Sequence, residues 1–254
     1  PIKEEIFVKM NDAMVHRGPD GDGFYFGGVF DDGFISKLKT QRPNSLISQD
    51  KQGRTLALGH RRLSIIDLNP LAGQPMCDDE SKIWIVFNGE IYNHRETREE
   101  LIKKGYKFKT THSDTEMIIY AYKEWGKEFV YKLRGMFAIS LWDSRKDTML
   151  LYRDRTGIKP LYYTVSNGRL YFASEIKSIL QDKSIKREMN NEGLYHYLSF
   201  LTVPAPQTLF KNIYKLSAGH YIEIKNGVVS EQKEYWDVFD NISMMYDKTE
   251  EEIK

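Results

Sequence analysis

Cysteine is almost absent: Cys77 is the only one in 254 residues. No disulfide can form within the chain, and a reducing, cytoplasmic setting fits. Histidine is sparse and scattered, six residues with no HxxxH spacing, so the sequence offers no metal-ligand motif and the expectation is that no metal is bound. Long apolar runs are also missing. The longest clean stretches, such as Ile83 to Phe87, are strand-sized, whereas a bilayer crossing needs roughly 20 residues. The start, PIKEEIFVKM, is charged and amphipathic and does not read as a secretory signal. Neither sign of charge is in excess, and a net charge of +1 gives no footprint for nucleic acid or an anionic membrane. Neither G-x-G-x-x-G after a strand nor G-x-x-x-x-G-K-[ST] occurs, so dinucleotide and P-loop readings lack their signature.

What is present suffices for a sizeable core, since 41% of the residues are hydrophobic. The length fits one large domain or two small ones. Ile2 to Met14 carries its apolar residues on one helical face. It ends before His16-Arg17-Gly18-Pro19-Asp20-Gly21, a strong turn signal. Gly23 to Phe26 reads as a short strand. Gly27 to Arg54 is polar and turn-rich and reads as a long loop or a poorly packed insertion. Thr55 to Asp67 alternates as a strand does, Leu68 to Asp79 reads as a loop, and Ile83 to Phe87 as a buried strand. Asn88-Gly89 reads as a turn, and Glu90 to Lys104 as a helix closed by Gly105. Ser113 or Asp114 can cap the next helix, which runs to Trp125. A short helix over Glu128 to Leu133 follows. Strands are expected over Met136–Trp142, Thr148–Arg153, Leu161–Val165 and Arg169–Ala173, then helices over Ser174–Leu180 and Asn191–Phe200. Two last strands, Gly219–Ile224 and Val228–Tyr235, flank an Asn226-Gly227 turn. Antiparallel hairpins with interspersed helices give an α+β class. The polar residues from 237 to 254 read as the start of a linker.

Four polar features suit a free amino acid with a side-chain amide. A guanidinium, Arg62, can take its carboxylate bidentately, and the acids Asp114 and Glu90 can take its ammonium. The Asn88 side chain and the Gly89 N–H can donate to its amide carbonyl, where negative charge develops on attack. Each also has a plain structural reading. Arg62 is equally a strand-edge charge, Asp114 a helix cap, Glu90 a first-turn acid, and Asn88-Gly89 an ordinary strand-to-helix turn.

A series of segments in one order carries a resemblance: HRGPDG (16–21), GHRRLSIID (59–67), QPM (74–76), FNGEIYNH (87–94), SDTE (113–116), LRGMFA (133–138), RDRTGIKPLYY (153–163), FASEIKSIL (172–180) and YLSFLTVPAPQTLF (197–210). From about Lys9 to Trp236 the chain resembles the class II glutamine amidotransferase domain of glutamine-hydrolysing asparagine synthetases. The resemblance implies an N-terminal-nucleophile hydrolase fold, a four-layer αββα sandwich of two antiparallel sheets. It implies Arg62 on the α-carboxylate of glutamine, Asp114 on its α-ammonium with Glu90 nearby, Asn88 and Gly89 as the oxyanion hole, and Ile65 and Ile66 lining the pocket through their backbone. The partners implied are glutamine, a C-terminal synthetase domain of the same protein and, in a homodimer, a second copy. ATP and magnesium are expected only in that synthetase domain, with no cofactor in this chain.

Two features depart from the family. Its nucleophile is an amino-terminal cysteine on an opening strand, and that Cys-Gly strand has no counterpart here. The expectation is a segment ahead of Pro1, the alternative a nucleophile-less glutamine-binding regulatory domain. Cys77, in QPMCDDES, has acidic neighbours that suppress its thiolate and reads as an incidental loop cysteine. The family's S-G-G-x-D-S phosphate loop is also absent, so the ammonia acceptor is open. A sugar- or peptide-modifying amidotransferase of the same architecture is the other reading. As written, the chain is expected to bind glutamine better than it hydrolyses it.

Overall fold

Apolar alternation along Ile83 to Ile91 sets the layering of the molecule. The computed structural model describes residues 2–51, 55–63 and 72–240. In chain order it contains α1 (Glu4–Asp12), β1 (Gly21–Gly27), α2 (Asp32–Gln41), β2 (Leu46–Asp50), β3 (Leu56–Arg62), β4 (Met76–Cys77) and β5 (Ile83–Ile91). Then follow α3 (His94–Lys103), α4 (Asp114–Trp125), α5 (Phe129–Lys132), β6 (Gly135–Asp143), β7 (Thr148–Arg153), β8 (Tyr162–Ser166) and β9 (Arg169–Ala173). The rest is α6 (Ile176–Ile179), α7 (Asn191–Phe200), β10 (Tyr214–Lys215), β11 (His220–Lys225), β12 (Val228–Val229) and β13 (Lys233–Glu234).

The large sheet runs β12-β11-β7-β6-β5-β4, with β13 also on β11, and all its pairings are antiparallel. One face carries Ile83, Ile85, Phe87 and Ile91 against Met117, Ile118 and Ala121 of α4. The other carries Trp84, Ala138, Trp142 and Leu151 against Tyr25 of β1 and Leu58 of β3. Tyr25 stacks on Trp84 with ring centroids 3.9 Å apart, which pins the two sheet layers together. The second sheet layer consists of two three-stranded sheets, β2-β1-β3 and β10-β8-β9. Their outer sides are covered by α1 and α2, through Phe7, Phe24, Phe26, Ile35 and Leu38, and by α6 through Ile179. Helices, two sheet layers and helices make the expected αββα order.

Three local expectations are corrected. Residues 27–54 are not a loop or a loose insertion: α2 and β2 form a crossover that returns β2 parallel to β1. A parallel neighbour requires such a connection. The Asp31 side chain caps α2 by accepting from the Phe34 N–H at 2.8 Å, and Ile35 and Leu38 are buried. Asn88-Gly89 is not a turn. β5 continues through Ile91, in register with β6 to Gly135, and the helix begins at His94, so Glu90 lies on a strand. Burying Ile91 completely is worth about 1.5–3 kcal/mol. That exceeds the roughly 1 kcal/mol span of strand propensity working against Asn and Gly. The strand expected over 228–235 is two short pieces, β12 and β13, both on β11. The proposed linker lies outside the described residues from 241 on.

Candidate active site

In the β5–β6 ladder the Tyr92 N–H reaches the Arg134 carbonyl. The alternation that follows points the backbone groups of 84, 86, 88 and 90 at β6, and those of 83, 85, 87, 89 and 91 at the opposite edge. Along that edge Ile83 donates to Asp78 Oδ1 at 3.0 Å, and Ile85 faces β4. β4 then ends. Phe87 donates to Gln74 Oε1 at 2.6 Å and Ile91 to Asp114 Oδ2 at 3.2 Å. Between them the Gly89 N–H has no acceptor among the described residues.

Gly89 is a glycine because of crowding: a Cβ there would lie 2.1 Å from the Met136 carbonyl oxygen of β6. Asn88, on the same face as Trp84 and Val86, lines a cavity of about 1100 Å³ together with Gly89, His60, Ser140 and Ser174. Its amide approaches Ser174 Oγ at 3.5 Å. The cavity runs between β3 and β9, the outer strands of the two small sheets, above a floor that includes Ala138, Trp142 and Leu161.

Asp114 opens α4. The Ser113 hydroxyl caps that helix by accepting from the Glu116 N–H, so the Asp114 carboxylate is not needed as the cap. Burial pushes the Asp114 carboxyl above its usual range, opposed by the Ile91 N–H and by His94. Glu116 instead organises the preceding loop, accepting from Lys109 N at 2.7 Å and Thr110 N at 2.9 Å.

Arg62 ends β3. Even-numbered residues of β3 face the large sheet, as Leu58 against Trp84 shows. His60, the next on that face, is part-buried at the cavity wall and donates to the Phe87 carbonyl. Its Nδ1 has no partner among the described residues, so the bonding nitrogen is Nε2. Burial, then the nearby Arg62 charge, lower the His60 pKa to about 4, so the ring is neutral at pH 7. Arg62 is one alternate step past His60, as Gly89 is past Phe87. Its backbone is fixed by the 16–21 loop: Asp20 N–H donates to the Arg62 carbonyl at 3.0 Å, and a Cβ on Gly18 would sit 2.4 Å from the Arg61 carbonyl carbon. The same loop meets the 172–180 segment, where Glu175 binds His16 at 2.9 Å, Lys177 at 3.1 Å and Arg17 at 3.2 Å. Burial works against the Glu175 charge, but His16, Lys177 and Arg17 prevail and hold its carboxyl at about 2.

Of the residues singled out in the sequence, Asn88 and Gly89 reach the cavity, while Arg62, Glu90 and Asp114 are not among its lining. Asp114 bonds the same β5 edge, and Glu90 is on the Asn88 face two residues on. Ile65 and Ile66 lie outside the described residues. Cys77 pairs with Trp84, five residues before Gly89, or roughly 17 Å along the strand. Burial, more than its acidic neighbours, raises the Cys77 thiol pKa. Gln74 and His60 were not singled out. An amide before a proline and a histidine between strand residues have no distinguishing local pattern.

The glutamine amidotransferase domain family matches residues 45–236. Among curated relatives, asparagine synthetase [glutamine-hydrolyzing] 1 of Bacillus subtilis is 40% identical over 223 residues, 88% of this chain and 31% of that protein. A putative asparagine synthetase [glutamine-hydrolyzing] 2 of Methanocaldococcus jannaschii is 36% identical, over 85% of this chain and 40% of that one. Amidase chyE of Penicillium rubens is 39% identical, over 78% and 29%. The chain thus spans about a third of the length of such relatives. Glutamine phosphoribosylpyrophosphate amidotransferase of B. subtilis superposes with a TM-score of 0.63 at 16% identity, covering 91% of this chain and 46% of that one, a likeness of fold. With the family matched over most of its length, this chain belongs to the class II glutamine amidotransferase domains.

Proposed function

We propose that this chain is the glutamine-handling part of an asparagine-synthetase-type amidotransferase. The observation that carries this is the Gly89 N–H, without an acceptor among the described residues, between two occupied ones and beside the Asn88 amide. Together they form a two-donor cradle for the side-chain carbonyl oxygen of glutamine. The next outward position, Ile91, is held by Asp114, one alternate step or about 7 Å away. Extended glutamine spans about 5 Å across the four bonds from its amide carbon to its α-nitrogen, a length that supports Asp114 as the partner of the ammonium. Arg62 takes the α-carboxylate, with Glu90 and the backbone of Ile65 and Ile66 completing the pocket. The Asp114 carboxyl, raised in pKa by burial, gains an ammonium partner when the substrate binds.

The reaction in this reading is attack by a nucleophile on the amide carbon, with charge passing to the oxygen held by Asn88 and Gly89. Collapse expels ammonia, and water hydrolyses the resulting acyl intermediate to glutamate. Cys77 is not that nucleophile, being distant and held as a thiol. The slot between β3 and β9 opens beside Asn88 and accommodates an extended segment that could bring one. Without such a nucleophile the chain binds glutamine rather than turning it over.

In the whole protein, ammonia would pass to ATP-activated aspartate in a synthetase part, where ATP and magnesium belong. The relatives' greater length supports such a part. So does the exposed apolar face of α7, where Tyr195, Leu198 and Phe200 project with little cover, a surface that part would bury. The amidase relative, almost as similar as the synthetase, favours a second reading with a different acceptor.

Calorimetric titration of the chain with L-glutamine tests the pocket. Binding is expected, with Arg62→Ala and Asp114→Ala each weakening it several-fold or more. No binding, or unchanged affinity in both variants, overturns the reading.

A further inference from the structure

We propose that Gln74 is a positioning residue that fixes the distance between the two ends of the glutamine pocket. The proposal rests on the reading of Gly89 as an amide-carbonyl donor and Asp114 as the ammonium partner. The Gln74 side chain works in both directions. Its Oε1 accepts from the Phe87 N–H at 2.6 Å, and its Nε2 donates to Thr115 Oγ1 at 3.3 Å. Phe87 is the outward-facing residue just before Gly89 on the same edge, and Thr115 directly follows Asp114. One amide therefore ties the strand carrying the oxyanion donors to the helix start carrying the acid.

The tie acts where β4 stops. β4 pairs with β5 only at Trp84 and Ile85, so among the described residues the strand edge has no ladder partner from Phe87 onward. Side chains replace the missing strand at Phe87: Gln74 takes its N–H, and His60 donates to its carbonyl. With that peptide held from both sides, the Gly89 N–H is aimed at a fixed point. Gln74 is itself seated firmly. A Cβ on Gly23 of β1 would lie 2.0 Å from the Gln74 carbonyl oxygen, so β1 packs directly on its backbone. The residue thus touches β1, β5 and α4 without lining the cavity.

A purely packing role and a positioning role make different predictions for two substitutions. Gln74→Met keeps the volume and loses both bonds. Gln74→Glu keeps an acceptor for the Phe87 N–H, and Thr115 can turn its hydroxyl to donate to the second oxygen.

The experiment uses the 15N-labelled full chain. It reads amide hydrogen exchange at Phe87, the movement of the Gly89 amide resonance on titration with L-glutamine, and glutamine affinity. For Gln74→Met, Phe87 exchange is expected to rise at least tenfold while Ile83 and Leu141 stay protected. The Gly89 response should shrink and affinity fall about tenfold. Gln74→Glu is expected to recover Phe87 protection and most of the Gly89 response. Unchanged Phe87 exchange in Gln74→Met overturns the tie. Faster exchange with an unchanged Gly89 response and affinity overturns its positioning role and leaves the glutamine reading standing. If glutamine does not move Gly89 in the unsubstituted chain, the glutamine reading fails and the positioning role falls with it, whatever Phe87 exchange shows.

Discussion

Asp114 accepts the backbone N–H of Ile91 at 3.2 Å while remaining mostly buried, so its carboxylate is used at the edge of β5 and not at the cap of its own helix. Its pKa is raised, chiefly by desolvation. A carboxyl raised in the folded state weakens the fold as pH climbs through its folded pKa, because the unfolded chain gives up that proton more readily. Asp114→Asn, which retains an acceptor for Ile91, is expected to raise the melting temperature at pH 7. The advantage should vanish at pH values below the ordinary carboxylate range. The same variant should lose glutamine affinity tenfold or more, since a charge-assisted bond is worth about 1.5–3 kcal/mol. Melting curves across pH, paired with calorimetry, check both halves; equal melting temperatures at pH 7 would contradict the burial argument.

Gly89 has a separate steric requirement. A methyl group there meets the Met136 carbonyl oxygen at 2.1 Å and the Phe137 Cα at 2.8 Å, both backbone atoms that cannot swing away. Gly89→Ala is expected to cost about 1–3 kcal/mol, the usual range for overpacking. That corresponds to a fall in melting temperature of about 2–12 °C for a chain of this size. Glutamine binding should fall with it, because the strand must move off β6 and take the donor N–H along. A variant that melts normally would show that β5 and β6 lie farther apart at this point.

The sequence made the layer order legible through period-two alternation. Ile83, Ile85 and Phe87 against Trp84 and Val86 is a pattern that only a strand between two apolar layers satisfies. β7, β9 and α7 were read with their observed limits, because turn residues bracket each of them. The α2–β2 crossover was missed because its core contacts are few: Phe34, Ile35 and Leu38 are interleaved with Ser36, Lys37, Lys39 and Thr40, and its cap, Asp31, sits among other turn formers. Asn88-Gly89 was misread as a turn because local propensity was weighed without the β6 ladder that overrides it. The site divides along the same line. Charges and the amide pair can be picked out by residue type. Gln74 and His60 act through the backbone of Phe87, a relationship that only exists once β3 and β5 face each other.

Cys77 provides a negative control for the location of the chemistry. Its Sγ lies 3.8 Å from Ser81 Oγ, on the opposite end of β5 from Asn88. Cys77→Ser, a near-isosteric change at a half-buried position, is expected to leave glutamine affinity within twofold. Alkylation with iodoacetamide should be slow at pH 7, because burial disfavours the thiolate. Rapid alkylation that also blocks glutamine binding, measured by mass spectrometry and calorimetry on one sample, would put Cys77 back in the site.

His60 is the last test, and its sign is opposite to that of Asp114. Burial and the Arg62 charge depress its pKa to about 4, from the ordinary histidine value of 6.5. Between those values the unfolded chain binds a proton that the folded chain refuses, so stability present above pH 6.5 drains away as the pH falls toward 4. One such group contributes a slope of up to about 1.4 kcal/mol per pH unit, and over the window its total is on the order of 3 kcal/mol. His60→Gln removes the titrating ring while keeping an N–H donor for the Phe87 carbonyl. Urea unfolding of the two proteins from pH 4 to 7.5 should give curves that converge on acidification, with the unsubstituted chain losing stability faster by about one proton's worth of slope. Parallel curves would mean that His60 is solvated and protonates in the folded state. A neutral ring bridging β3 and β5 would then have no support.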